Sequence, residues 1–165
     1  MGKSIIIDYP AIHALKRHRT NRCGKMYDAS RGDKNSVQGY FLLAKQKAKI
    51  IEPWDFPIYA ICIFEKRYKK GRENKDFLWT TKPDIDNLEK FIFDVAEDTG
   101  IIKNDSRITL KLSLKLWGKN DRTILYMARA KPDSIIFYNC DYLGDNKYCY
   151  SLLDRHFKKQ VCLFT

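Results

Sequence analysis

Three aspartates, Asp84, Asp86 and Asp105, could serve a metal ion if the fold brings them together. The first two open the stretch Lys82-Pro83-Asp84-Ile85-Asp86-Asn87-Leu88-Glu89-Lys90. Pro83 cannot continue a helix from upstream and biases Lys82 toward extended backbone. Asp86 with Glu89 three residues later has the form of a capping box, so Asp86 is the expected N-cap of a helix over residues 87–98. Asp84 then lies in the extended lead-in, where residues two apart project to the same side. Asp105 must return to meet the pair. The helix spans about 18 Å, and residues 99–105 reach about 23 Å when extended, so the return is allowed with little slack. Three carboxylates brought together repel one another, and a hard divalent cation relieves that repulsion. Carboxylates plus waters suit Mg²⁺, which promotes phosphodiester hydrolysis by acidifying water and neutralising phosphate charge. Lys90, one helical turn after Asp86, is placed to pair with the carboxylates or to stabilise phosphate charge in the transition state. Spacing alone also permits a structural reading, with Asp86 a cap, Asp84 a turn former and Asp105 a loop residue.

Charge supports the chemical reading. The 165 residues carry a formal net charge of +11, which points to a densely anionic partner, most commonly a phosphate backbone. Residues 1–50 hold eleven Lys/Arg against three acids, and residues 65–82 seven against three. Residues 84–105 reverse the sign, with seven acids and two lysines. A pure phosphate binder gains nothing from carboxylates there, whereas a metal site needs them. Arg17, Arg19, Arg22, Lys25 and Arg31 on one side, and Lys66, Lys69, Lys70, Arg72, Lys75 and Lys82 on the other, are candidate phosphate contacts. Solvated loops are the alternative. Phe77 and Trp79 precede the acidic pair and are read as core, or as a wedge entering unstacked bases.

Composition sets the class. With 44% apolar and 31% charged residues the chain is globular. No apolar run approaches the roughly 20 residues of a membrane-spanning helix, and the N-terminal isoleucine run is too short for a signal peptide. A cytoplasmic protein without membrane contact is expected. Five cysteines, odd in number and forming no CxxC pair, suggest reduced thiols rather than a disulfide framework or zinc knuckle.

Hydrophobic periodicity gives the elements that must position these residues. Residues 4–7 read as a buried strand, 11–35 as an ordered loop or arm, and 34–51 as an amphipathic helix. Residues 56–64 form a central strand buried on both faces, with a basic loop and a short strand at 77–80 after it. The second helix ends at Gly100. Leu110, Leu112, Leu114 and Leu116 alternate with Lys111, Ser113 and Lys115, the clearest half-buried strand. A turn at 118–121 and a hairpin partner at 123–129 follow. The expected architecture is α+β: one domain with a mixed β-sheet and helices packed against it. Residues 1–130 form the core and residues 131–165 a C-terminal extension.

The stretch from Asp84 through Lys90, with Phe93-Asp94, Gly100 and Asn104-Asp105, resembles the RusA family of Holliday junction resolvases. That family carries a D-x-D-N-L-x-K motif opening a helix and a third aspartate at the interval seen here. The resemblance runs ungapped over residues 82–108 and extends faintly over residues 3–130. It implies catalytic, metal-binding aspartates at Asp84, Asp86 and Asp105, a functional lysine at Lys90, and Mg²⁺ (or Mn²⁺ in its place) as the cofactor. It also implies a homodimer that nicks four-way junctions, with no small-molecule cofactor. Family members often have two adjacent aspartates where this chain has Asn104-Asp105, and the long basic loop and residues 131–165 leave the preferred branched DNA open. The expectation is therefore a metal-dependent endodeoxyribonuclease acting on branched DNA in recombination and repair. The rival is a non-catalytic branched-DNA-binding protein on the same scaffold.

Overall fold

A computed structural model describes residues 4–16, 19–20, 23–68 and 78–130. The chain divides into two units, Met1–Ala130 and Lys131–Thr165, and everything described belongs to the first. Its elements run β1 (Ser4–Tyr9), β2 (Arg19–Thr20), β3 (Met26–Tyr27), α1 (Arg31–Lys47), β4 (Ile58–Arg67), α2 (Ile85–Asp98), β5 (Ile108–Gly118) and β6 (Arg122–Arg129). A short 3-10 turn, Asp105–Arg107, leads into β5. Among the described residues the fold is α+β, with a mixed four-stranded sheet, a two-stranded β2-β3 ribbon and two α-helices.

The sheet order is β1-β6-β4-β5. β4 and β5 pair in parallel, joined by a crossover through α2, whereas β6 is antiparallel to both β4 and β1. This overturns the expected hairpin: β6 does not pair with β5. After Gly118 the chain passes over the end of β4, where Tyr68 donates its N–H to the Gly118 carbonyl and Arg67 donates to Asp121 Oδ1. The crossing is close, and a Cβ on Gly118 would run into the Glu65 side chain.

Register assigns the two faces. Lys111, Ser113 and Lys115 lie opposite Ala60, Cys62 and Phe64, while Leu110, Leu112, Leu114 and Leu116 lie opposite Tyr59, Ile61, Ile63 and Glu65. Ala60, Cys62 and Phe64 belong to the buried core with Ile5, Ile7, Tyr9, Leu125 and Met127, together with Phe41 of α1 and Leu88, Phe91 and Ile92 of α2. Both helices therefore cover the face that carries the polar residues of β5, and the leucines point away from them.

α1 begins at Arg31 and stops at Lys47, short of the expected residue 51. Lys49 turns into the left-handed region (φ 53), and the Ile50 N–H bonds back to the Lys45 carbonyl. The expected short strand near residue 78 is a single bridge from Leu78 to Leu116. Of the cysteines, Cys62 is a buried thiol and Cys23 an exposed one. Burial pushes the Cys62 thiol up to about 12, so it packs as an inert apolar group.

Phe91 is fully buried, with its ring 5.3 Å from that of His13 on the strap after β1. Truncation removes the contact that seats α2 between sheet and strap. Phe91→Ala is expected to destabilise the protein by about 3–5 kcal/mol, read as a shift in the urea unfolding midpoint.

Candidate functional site

α2 starts at Ile85, with Asp84 as its N-cap in extended backbone (φ −71, ψ 151). The helix thus begins two residues before the expected Asn87, and Asp86 sits in its first turn instead of at the cap. Lys115 accounts for this. From β5 its ammonium donates to the carbonyls of Thr81 and Pro83, both at 2.7 Å, which ties down the segment up to Pro83. The capping box does not form, and the Asp84 carboxylate makes no capping bond. Asp84 and Asp86 are both exposed, one on the lead-in and one on the helix, so they diverge more than two residues of one strand would. Burial lowers the Lys115 pKa from its ordinary value. The Asp84 charge opposes that shift and the Lys66 charge adds to it.

Glu89 is not a capping partner. It is 5% exposed and accepts from Lys111 Nζ and Ser113 Oγ, which bolts α2 onto β5. Lys34 takes a second share of the acidic island, lying 3.1 Å from Asp94 and 3.5 Å from Asp98, with Asp28 at 3.6 Å. Those acids hold the helices together. Asp84 and Asp86, at the start of α2, are left facing solvent.

Asp105 opens the 3-10 turn that precedes β5. Asn104 caps this turn, accepting the Ser106 N–H at 2.9 Å, so the residue that departs from the family pattern has a structural task here. One chain does not gather the three aspartates. Lys115 marks the end of β5 beside Asp84, and Ile108 lies seven residues earlier, about 23 Å along the strand. The return from α2 does not run back along the helix. Ile101 and Ile102 are buried at the far end, where the Trp54 N–H donates to the Ile101 carbonyl and Lys103 donates to the Trp54 carbonyl. Among the described residues no three His, Cys, Asp or Glu side chains form a set that could hold a metal ion. Asp84 and Asp86 alone still suit Mg²⁺, which is commonly bound by one or two carboxylates with water and substrate phosphate completing the shell.

The basic residues approach from two directions. The Leu15 N–H donates to the Asn87 carbonyl at 2.8 Å, so the segment leading into the basic arm is rooted next to Asp86. Arg19 lies in β2 and Lys25 just before β3, both exposed. Lys82 and Lys90 are exposed on either side of the acid pair. Arg17, Arg22, Arg72 and Lys75 lie outside the described residues, as does Phe77. Trp79 is 2% exposed, and its Nε1 donates to Thr81 Oγ1 at 2.7 Å, so it packs in the core and is no wedge. Lys115 and Glu89 escaped the sequence reading of the site because a Lys/Leu alternation is ordinarily read with lysine outward. A buried acid one turn into α2 was the signal that something basic had to face it.

Residues 11–127 match the family model described as Endodeoxyribonuclease RusA. No curated protein matches the chain.

The Glu89 bolt yields an asymmetric expectation. Removing Lys111 leaves a buried carboxylate with Ser113 alone of its two donors, whereas Glu89→Gln keeps an acceptor and buries no charge, and Lys111 is half-exposed to water. Lys111→Met should cost about 1–3 kcal/mol and Glu89→Gln less, both measured by chemical denaturation.

Proposed function

Because this chain belongs to the RusA endodeoxyribonuclease family, we propose that it is an Mg²⁺-dependent, junction-selective endonuclease. In this reading it hydrolyses phosphodiesters in Holliday junctions or related branched DNA during recombination and repair in a cytoplasmic setting. The observation that carries the reading is the Leu15–Asn87 bond, which roots a basic arm beside two exposed carboxylates at a helix start. A DNA track and a metal-binding acid pair need that adjacency. Asp84 and Asp86 would hold the ion, and such an ion supplies Lewis acidity toward a phosphodiester and toward water. Lys90, one turn along α2, stabilises charge on the phosphate. Arg19, Lys25 and Lys82, with Arg17, Arg22, Arg72 and Lys75 of the flanking segments, neutralise neighbouring phosphates.

The working unit in this reading is a homodimer. Asp105 stands at the opposite end of β5 from Asp84 in its own chain. A two-fold axis crossing the middle of β5 exchanges those ends, so Asp105 of the partner subunit would approach Asp84 and Asp86. A symmetric pair of such sites also matches the symmetry of a four-way junction.

Incubation with a four-way junction, a Y-fork and linear duplex, with and without Mg²⁺, tests the activity directly. Metal-dependent nicks confined to branched DNA are expected. Asp84→Asn, Asp86→Asn and Asp105→Asn should each abolish nicking while junction binding persists, and Lys90→Ala should slow it by roughly 10²-fold. Mixed Asp84→Asn and Asp105→Asn protomers should recover nicking, since one of the two shared sites is then intact. Wild-type protein that binds junctions and nicks none of them with any divalent metal would establish the non-catalytic alternative.

A further inference from the structure

Lys66 and Lys115 lie on neighbouring parallel strands, and their ammonium groups sit 4.7 Å and 4.4 Å from the centroid of the same Trp79 ring. Two cations sharing one indole repel each other, a cost that the cation–π attraction offsets only in part. An anion close to both ammonium groups would relieve that repulsion. Trp79 is locked in place: it is buried, its backbone N–H donates to the Lys115 carbonyl at 3.0 Å, and its indole N–H is held by Thr81. Lys115 is held as well, because two of its three N–H groups go to the Thr81 and Pro83 carbonyls. Trp79 and Lys115 are therefore in place before any ligand arrives, beside Asp84 at the positive end of α2.

We propose that Lys66 and Lys115, seated on Trp79, form a phosphate-binding seat that takes a DNA backbone phosphate next to the one at Asp84. The proposal rests on the nuclease reading for the identity of its ligand, but not on any cleavage. Lys66 supplies a rotatable ammonium from β4, and Lys115 supplies the third N–H of a fixed one. A phosphodiester bridging them relieves the lysine–lysine repulsion and sets the register of the strand relative to the acid pair. Lys66 and Lys115 rise from β4 and β5, the paired strands of the main sheet.

Equilibrium binding of the full chain to a four-way junction, without divalent metal and over a series of salt concentrations, reads the seat independently of nicking. Each lost phosphate contact lowers the slope of log affinity against log salt by about 1. Lys66→Met and Lys115→Met should each reduce it by about 1 per seat, about 2 for a dimer with two seats, and weaken binding several-fold, and Lys66→Arg should restore it. Lys47→Met, at an exposed lysine in the last turn of α1, should leave the slope unchanged. Thermal melts establish that each variant is folded. A neutral methylphosphonate walked along the junction should weaken wild-type binding at one phosphate and have no such effect there in Lys66→Met. Unchanged slopes in folded Lys66→Met and Lys115→Met overturn the seat even if nicking is normal. Altered slopes in a protein that never nicks leave the seat standing and remove the nuclease reading instead.

Discussion

The parallel pairing of β4 with β5 is the constraint from which the rest follows. Two parallel strands cannot be joined by a tight turn, so the chain must travel back the length of the sheet before the second begins. α2 makes that journey. Whatever precedes the helix is left at the carboxyl ends of the strands, and whatever follows it at the amino ends. Asp84 and Asp86 fall on the first side and Asp105 on the second. The carboxyl ends of parallel strands are where open α/β sheets ordinarily receive ligands, and here the two cationic side chains on Trp79 accompany the acid pair at that edge.

Electrostatics in this protein is a matter of allocation. A run of acids inside a basic chain would be costly if every carboxylate stood alone. Lys34 answers Asp94 and Asp98 across the helix pair, and Lys111 answers Glu89 across the helix–sheet seam. These contacts decide where α2 lies and how it is rotated. Rotation matters because Asp86 and Lys90 are carried on the helix itself, while Asp84 hangs on the lead-in that Lys115 restrains. Structural ion pairs thus set the aim of Asp86 and Lys90 on the helix.

Much of this could be read from residue order. Period and apolar content located β1, both helices, β4 and β5, and the motif around Asp84 carried the family. Three things were hidden, each for a physical reason. The hairpin expectation for β6 failed because a turn of the right length says nothing about which side of β4 the returning strand takes. The alternation in β5 was real, but its polar half faces a helix that brings its own acid, so polarity marked a seam instead of solvent. The return to Asp105 was judged by reach alone. Ile101 and Ile102 instead spend that length in the core against Trp54, and chain length sets only an upper limit on where a residue can go.

The strand order carries a consequence for biosynthesis. β6 lies between β1 and β4, yet it is the last strand of the sheet to be made. At about 5–20 residues per second, the 62 residues from Arg67 to Arg129 occupy the ribosome for roughly 3–12 s. Throughout that interval the inner edges of β1 and β4 have no neighbour, and open strand edges invite pairing with other nascent chains. The interior strand arrives last, so the four-stranded sheet can close only after residues 122–129 have been made.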